Sequence, residues 1–202
     1  MLEHDVLVVG GGLAGLRAAL EAQNDGANVA IITKVHPVRS HSNAAQGGIN
    51  AALTDRGDTW EEHAYETVKG SDYLGDQDAI EVLAEEAGRA IIDMEHMGVI
   101  FSRNEDGQLG TRNFGGQQRA RTFFVADFTG QAMLHVMYEQ IMKAGTRVYE
   151  EWFVLSLIIE QGECHGAVIM EIRTGEIHVC LLYTSDAADD TPCVDLGGRR
   201  II

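Results

Sequence analysis

Residues 9–15 read Val-Gly-Gly-Gly-Leu-Ala-Gly, a G-x-G-x-x-G sequence that we call the glycine loop. It follows an apolar run at residues 5–9 and leads into leucines at positions 13, 16 and 20, which share one face of a helix. A second apolar run occupies residues 28–32 and follows Gly26, a residue that commonly ends helices. The order strand, glycine loop, helix, strand predicts a Rossmann-type βαβ unit.

The glycines have separate expected roles in such a unit. Gly10 permits the tight turn, Gly12 lets a pyrophosphate approach the backbone, and Gly15 lets the helix pack closely on the strand. Free N–H groups at the helix N-terminus would bind the phosphates. The predicted cofactor-binding residues of this loop are therefore Gly10, Gly11, Gly12, Leu13, Ala14 and Gly15.

The end of the second strand bears on which dinucleotide is bound. A carboxylate at this point would hold the ribose of NAD. The sequence reads Ile32-Thr33-Lys34 instead. This departure leaves FAD open, with Thr33, Lys34 and nearby backbone groups as the expected ribose contacts.

Composition limits the other functional classes. The chain has 202 residues, a formal net charge of −16 and 45% hydrophobic residues, as expected for one globular domain or slightly more. The acidic excess argues against partners such as nucleic acid or anionic lipid. No apolar run approaches the roughly 18 residues of a membrane span, and no signal segment is evident, so we expect a cytoplasmic location. Three cysteines without paired spacing predict neither a disulfide framework nor a metal site.

The remaining periodicity completes an α/β prediction. Helices are expected at residues 60–68, at 78–97 before Gly98, and around 133–141 before Gly145. A third parallel strand at 147–150 would join those at 5–9 and 28–32, and a β-meander would follow over 152–179. The helix at 78–97 should turn one stripe inward, formed by Ile80, Leu83, Ala84, Ala87, Ile91 and Met94. Met133 and Met137 should lie in the core, and Glu61, Glu62 and His63 should form a solvated helix face.

Residues 34–49, which we call the histidine loop, read KVHPVRSHSNAAQGGI. Long polar loops of this kind are usually functional. Together with the glycine loop, this stretch resembles the flavoprotein subunit of succinate dehydrogenase and fumarate reductase. Further matching motifs are Thr67–Asp78, Glu95–Gly98, Phe114-Gly115-Gly116 and Ala126–Gly130, so that the resemblance covers about residues 4–179.

The resemblance implies that His41 carries FAD covalently. A neutral imidazole nitrogen is a good nucleophile near neutral pH, which suits this role. By the same resemblance, Gly47 and Gly48 lie against the isoalloxazine, Gln46 favours succinate oxidation, Trp152–Val154 offers backbone groups to adenine, and Phe114 either approaches the flavin or forms a plain turn. His36 matches no functional position and is expected to be a solvated loop residue. The implied cofactor contacts of the histidine loop are Arg39, Ser40, His41, Ser42, Ala45, Gln46, Gly47 and Gly48.

The implied function is oxidation of succinate to fumarate through FAD. Electrons would pass to an iron–sulfur subunit and then to quinone. The complex would be held by membrane-anchor subunits on the cytoplasmic face of the inner membrane. An alternative is an L-aspartate oxidase-like flavoenzyme, a relative that normally lacks the covalent histidine. A third possibility is a non-catalytic FAD-binding fragment.

The sequence changes character at Cys180. Residues 180–202, CLLYTSDAADDTPCVDLGGRRII, lose helical or strand periodicity after four residues and resemble translated sequencing-adapter read-through. We expect residues 1–179 to be the N-terminal part of a Rossmann-type FAD-binding domain, truncated before the domain is complete, and residues 180–202 to be a structurally uncommitted, non-native tail. In the resembling family, the dicarboxylate ligands, the proton-shuttling arginine and the capping and helical domains come later. No catalytic residue is therefore expected in this chain, which should be inactive towards succinate.

Overall fold

A computed structural model describes residues 2–115 and 117–182. The chain forms two compact units, one that combines the chain up to Ser42 with the chain from Met137 onward, and one formed by Asn43–Val136. The elements in chain order are β1 (Leu2–His4), β2 (Val6–Val9), α1 (Leu13–Asn24), β3 (Val29–Thr33), β4 (Ile49–Asn50), α2 (Trp60–Gly70), α3 (Gln77–Met97), β5 (Thr111–Arg112), β6 (Thr122–Phe123), α4 (Thr129–Ala144), β7 (Arg147–Glu150), β8 (Trp152–Glu160), β9 (Glu163–Glu171) and β10 (Ile177–Leu182).

The first unit contains the predicted parallel sheet. Its strand order is β2-β3-β7, with Val8 opposite Ile31 and Ile31 opposite Val148. All five residues of β3 are buried, as expected of a central parallel strand covered on both faces. Helix α1 buries Leu16, Ala19 and Leu20. The Rossmann-type βαβ unit is therefore confirmed.

The predicted β-meander is also confirmed, but it belongs to a four-stranded sheet of order β1-β10-β9-β8. Strands β8, β9 and β10 pair antiparallel, whereas β1 pairs with β10 in parallel. Residues of the two sheets share one buried cluster, formed by Leu7, Ala30, Ile32, Tyr149, Ala167, Ile169, Cys180 and Leu182. The meander therefore covers one face of the parallel sheet.

The expected boundary after Val179 is at least three residues too early. Cys180–Leu182 continues β10, and Cys180 and Leu182 point into the shared cluster with 0% and 6% exposure. Burial raises the pKa of the Cys180 thiol to about 11, so this side chain stays protonated at neutral pH and packs as a small apolar group. The boundary was missed because the pairing strand β1 has only three residues. The rest of the expected tail, residues 183–202, lies outside the described residues.

The second unit contains helices α2 and α3 and a small antiparallel sheet of order β4-β6-β5. Thr59 Oγ1 accepts the Glu62 N–H at 3.2 Å to begin α2, and Asp76 Oδ1 accepts the Ala79 N–H at 3.2 Å to begin α3. Gly98 ends α3 with φ = 119°, a left-handed conformation that favours glycine and confirms the predicted C-cap.

Most of the predicted α3 stripe is buried, but Leu83 is not. Ala84, Ala87, Ile91 and Met94 are all buried, whereas Leu83 is 57% exposed and Ile80 is half-buried. Leu83 is rotated by roughly 100° from its neighbour Ala84, so it lies at the margin of the packed stripe. The inward orientation predicted for Leu83 is therefore wrong.

Helix α4 buries the predicted pair Met133 and Met137, together with Leu134 and Ile141. Gly145, with φ = 74°, follows its last residue as predicted. None of the helices in the described part of the chain has the length and apolar character needed to cross a membrane.

We expect two deletions to separate the end of β10 from the residues that follow it. Removing residues 183–202 should leave the melting temperature nearly unchanged, because that segment has little periodic apolar sequence to offset the cost of ordering it. Removing residues 180–202 should lower it by about 5 °C or more, because the buried Cys180 and Leu182 side chains and the pairing with β1 are lost. Thermal unfolding followed by circular dichroism makes the comparison. Equal melting temperatures for the two deletions would contradict the assignment of Cys180–Leu182 to the core.

Candidate functional site

A cavity of about 590 Å³ lies in the first unit, at the carboxyl ends of β2 and β3. Its walls are formed by residues 9–12, 32–35, 39–41 and 152–154. The glycine loop, the Thr33-Lys34 pair and the first part of the histidine loop therefore line the same space. Ligands of open α/β sheets bind at this edge, outside the carboxyl ends of the strands.

The glycine loop has the conformation that its sequence predicts. Gly10 has φ = 113°, and its N–H donates to the Ile32 carbonyl at 2.8 Å. A Cβ at Gly15 would collide with the Gly10 carbonyl oxygen and lie 3.3 Å from Val8 Cγ1, so only glycine fits there. The tight turn at Gly10 and the close packing at Gly15 are as expected.

The neighbouring positions of the loop differ in the space around them. A Cβ at Gly11 would lie 3.1 Å from Thr33 Oγ1, and a Cβ at Gly12 would lie 3.3 Å from Ser42 Oγ. Gly12 is also the residue before α1 and has no side chain to cap it. Leu13 donates its N–H to Ser42 Oγ at 3.2 Å, while Ala14 is exposed on the first turn of α1. Ser42 thus joins the histidine loop to the helix N-terminus.

Ser40 contributes an unsatisfied hydroxyl to this cavity. Its Oγ is buried and has no hydrogen-bond partner among the residues described. Ser40 lines the cavity together with Gly12, and a Cβ built on Gly12 would lie 3.8 Å from Ser40 Oγ. Buried hydroxyl groups are normally hydrogen-bonded, so this orphan group is suited to a phosphate or flavin oxygen. The residues present therefore fit a dinucleotide.

His41 and Arg39 are both exposed side chains that line the cavity. His41 begins the short 3-10 turn His41–Ala44, and Arg39 ends the turn Pro37–Arg39. These turns fix the backbone positions from which the two side chains extend. An accessible imidazole in a cavity that also contains the glycine loop is free to react with a bound group.

His36 is a partly solvated loop residue, as expected, but its ring also has specific partners. Its Nδ1 accepts the Val38 N–H at 3.3 Å, and its Nε2 lies 3.4 Å from Glu150 Oε2. Its ring also meets the Tyr138 ring edge-on at 5.0 Å, and burial together with the Glu150 charge raises the pKa of that phenol. Within the first unit, His36 therefore connects the start of the histidine loop to α4 and β7.

Thr33 and Lys34 occupy the position expected for ribose contacts. Thr33 is buried, and its hydroxyl donates to the Val35 carbonyl at 2.8 Å. The hydroxyl proton is therefore committed, and Thr33 can offer a ribose hydroxyl only the remaining lone pair. Lys34 is exposed at the cavity wall.

Residues 45–48 of the histidine loop belong to the second unit. The Ala45 carbonyl accepts the Gly130 N–H at 2.8 Å. Arg112 Nη2 donates to the Gly47 carbonyl at 2.6 Å and to the Gln46 carbonyl at 3.3 Å, while the Gln46 residue itself is exposed. The Arg112 guanidinium also lies 4.3 Å from the centroid of the Phe124 ring. Arg112 thus fixes the backbone of this segment, a role that no local sequence pattern indicated.

The surroundings of Gly48 require glycine, and those of Gly47 are tight. A Cβ at Gly47 would lie 3.1 Å from the Phe114 ring. Gly48 has φ = 113°, and a Cβ there would lie 2.6 Å from Thr122 Cγ2 on β6. The small residues at these positions therefore have a packing reason that is independent of any cofactor.

The solvated face expected for Glu61, Glu62 and His63 is correct only in part. Glu61 and Glu62 are exposed, but His63 is 3% exposed. Burial and the nearby charge of Arg121 lower the pKa of the His63 imidazole, which favours its neutral form. The sequence pattern missed this because Arg121, which is itself buried, comes from a distant part of the chain.

Comparison with known proteins agrees with this geometry. Residues 5–187 match the FAD binding domain family. The chain is 48% identical over 185 residues to the succinate dehydrogenase flavoprotein subunit of Rickettsia felis, with 87% of this chain and 31% of that protein covered. It is 42% identical over 182 residues to the fumarate reductase flavoprotein subunit of Mycobacterium tuberculosis, with 89% and 31% covered.

Solved structures give the same result. A quinol fumarate reductase variant of E. coli superposes with a TM-score of 0.84 at 36% identity, covering 90% of this chain and 32% of that chain. The apo Sdh1 complex of Mycobacterium smegmatis superposes with a TM-score of 0.86 at 31% identity, covering 89% and 33%. The chain spans about a third of the length of the curated relatives it matches. Because the family match covers most of the sequence and the βαβ unit and cavity suit a dinucleotide, the chain belongs to the FAD binding domain family.

Proposed function

We propose that the chain supplies the FAD-binding part of the flavoprotein subunit of a succinate:quinone oxidoreductase, with FAD attached covalently to His41. The observation that carries this proposal is the cavity shared by Gly10–Gly12, Ser40 and His41. It combines a phosphate-binding turn with an accessible nucleophilic side chain. The similarity to succinate dehydrogenase flavoprotein subunits supports the same assignment.

Different residues of the cavity would contact different parts of FAD. The backbone of Gly10–Gly12 and the N-terminus of α1 would face the pyrophosphate. Ser40 Oγ would donate to a phosphate or flavin oxygen, which would satisfy its hydrogen-bonding capacity. Thr33 and Lys34 would contact the ribose, and the backbone of Trp152–Val154 would contact adenine. When bound, FAD supplies an acceptor for the hydride removed from the substrate.

His41 would form the covalent bond through a ring nitrogen. This reaction requires the neutral imidazole, whose free nitrogen lone pair is the nucleophile. The Leu13 N–H donates to Ser42 Oγ, which fixes Ser42 at the start of α1. Because His41 is the residue before Ser42, its backbone is anchored close to the glycine loop. Such anchoring limits the range of positions that the imidazole can adopt.

Residues 45–48 would approach the isoalloxazine, and Arg112 would act as a positioning residue for them. Its two hydrogen bonds hold the Gln46 and Gly47 carbonyl groups, which fixes the plane of the following peptide groups. Peptide N–H groups held in one orientation can tune the electronics of a flavin ring. Gln46 favours succinate oxidation as the physiological direction.

The partners and location of the whole protein follow from the same proposal. Electrons would pass from FAD to an iron–sulfur subunit, and membrane-anchor subunits would hold the complex on the cytoplasmic face of the inner membrane. The name of one related structure, a quinol–fumarate reductase with menaquinol molecules, supports a link to quinone. Succinate and fumarate would be the substrate pair.

Replacing His41 by Ala tests the covalent bond. The unaltered chain, expressed with FAD available, should keep yellow-green flavin fluorescence after acid precipitation and denaturing electrophoresis, and His41→Ala should lose it. The matched control is His96→Ala, which removes an exposed histidine of α3 and should leave the fluorescence unchanged. Fluorescence that persists in His41→Ala would exclude attachment at His41, and fluorescence missing from the unaltered chain would show that these 202 residues alone do not form the bond.

Replacing Arg112 by Gln tests the positioning role. Loss of its charge-assisted hydrogen bonds, worth about 1.5–3 kcal/mol, should weaken FAD binding by about tenfold or more and shift the flavin absorption band. Arg112→Lys should recover part of the affinity, because it keeps the charge but not the planar fork.

The control for Arg112 is Arg103→Gln, which alters an exposed arginine paired with Glu95. Titration of FAD with flavin fluorescence measures both variants in a His41→Ala background, where no covalent bond can form, and melting curves check that they fold. Equal FAD affinity and equal absorption spectra for Arg112→Gln and Arg103→Gln would show that Arg112 has no role in the flavin site.

A further inference from the structure

A second cavity, of about 220 Å³, lies within the second unit beside the small sheet β4-β6-β5. Its charged lining consists of Arg56, Arg119, Arg121 and Asp58. Glu62 and Glu66, which are not part of this lining, pair with Arg119 and Arg121, so Arg56 is the cation of the wall without a carboxylate partner among the described residues. It shares no residue with the cavity of the glycine loop, so it is a separate site.

The single carboxylate of this wall, Asp58, already accepts two hydrogen bonds from Arg121. Asp58 accepts Nε and Nη2 of Arg121 at 2.9 and 3.0 Å, a bidentate pair in which Arg121 is only 1% exposed. Arg119 lies 3.9 Å from Asp58 but pairs more closely with Glu62, at 2.8 Å. Asp58 therefore has little capacity left to neutralise a third cation.

Arg121 still has an unsatisfied nitrogen. Its Nη1 is buried and, among the described residues, has no hydrogen-bond partner. Glu66 Oε2 lies 3.2 Å away but without hydrogen-bond geometry, and that oxygen is also unsatisfied. The Glu66 charge partly compensates the buried guanidinium, but the Nη1 group still lacks a hydrogen bond.

Arg56 is in a similar condition. Its Nη1 donates to the Leu109 carbonyl at 2.6 Å, and its guanidinium lies 5.5 Å from the centroid of the Phe123 ring. Its Nε is buried and, in the part of the chain that the structure describes, has no acceptor. Nor does a described carboxylate form an ion pair with it. A half-buried cation without a counter-charge favours binding of an anion.

We propose that this cavity binds a small oxyanion, of the size of a carboxylate group or inorganic phosphate, through Arg56 and Arg121. Guanidinium groups suit such anions because their N–H groups match pairs of oxygen atoms. The volume is below the roughly 300–1,000 Å³ of pockets that hold drug-sized ligands, which excludes a nucleotide. The site does not depend on the proposed flavin function.

The test is isothermal titration of the FAD-loaded 202-residue chain with sodium phosphate and, separately, with sodium acetate, each against sodium chloride of equal ionic strength. We expect saturable binding of one anion per chain, tenfold or more weaker in Arg56→Gln. Arg56 is chosen because replacing Arg121 would leave the buried Asp58 carboxylate unpaired and destabilise the fold. The matched control is Arg89→Gln, which removes an 80% exposed arginine of α3 and should bind as the unaltered chain does.

The comparison remains informative if FAD fails to bind. Phosphate would then also bind at the glycine loop, but equally in both variants, so only the difference between Arg56→Gln and Arg89→Gln reports on this cavity. The preferred anion, phosphate or acetate, identifies the geometry of the ligand. Melting temperatures give a second readout, since 10 mM of the bound anion should stabilise Arg89→Gln more than Arg56→Gln. Equal binding by the two variants, or no binding of either anion beyond chloride, would overturn the proposal.

Discussion

Strand β3 is the element on which the first unit depends. It lies between two parallel neighbours, and all five of its side chains are buried, so it pairs on both edges and packs on both faces. The carbonyl of Ile32, near its carboxyl end, accepts the N–H of Gly10, and Thr33 lies against Gly11. The same strand therefore stabilises the sheet and sets the position of the glycine loop. A substitution in β3 that disturbs packing would displace the candidate cofactor site as well.

The parts of this fold that could be predicted are those with a local sequence signal. The apolar runs at β2 and β3, the glycine loop and the glycines after α3 and α4 all act within a few residues, and each is where the sequence indicates. Strand β1 has only three residues and its partner β10 is at the other end of the described chain, so no periodicity reveals either the pair or the extension through Leu182. Leu83 shows a related limit, because helical spacing alone does not define how wide a packed face is.

The candidate site divides in the same way. The glycine loop and the neighbourhood of His41 could be predicted because their residues are close together in the sequence. The glycines are needed for the backbone conformation, and the residues around His41 form a recognisable sequence pattern. Arg112 could not, because its hydrogen bonds reach carbonyl groups 65 and 66 positions earlier. Nor could the burial of His63 beside Arg121, since a single helical turn contains no information about a cation supplied by the residue before β6. Contacts of this kind depend on the fold being known first.

The parallel pairing of β1 with β10 has a consequence for how the chain acquires its structure. His4 donates to or accepts from the Tyr149 hydroxyl across 145 positions of sequence, and β1 is completed by the last described strand. The first unit is therefore discontinuous, and its sheets cannot be completed until residues up to Leu182 have left the ribosome. Asn43–Val136 is contiguous and needs no later residues to fill its sheet. Bringing β1 and β10 together closes a long loop of chain. This step is slow, because the chain loses conformational entropy before the stabilising contacts form. During synthesis, the inserted unit would emerge before β7 and β10, so β1 and the second edge of β3 would remain without their partners until those strands follow.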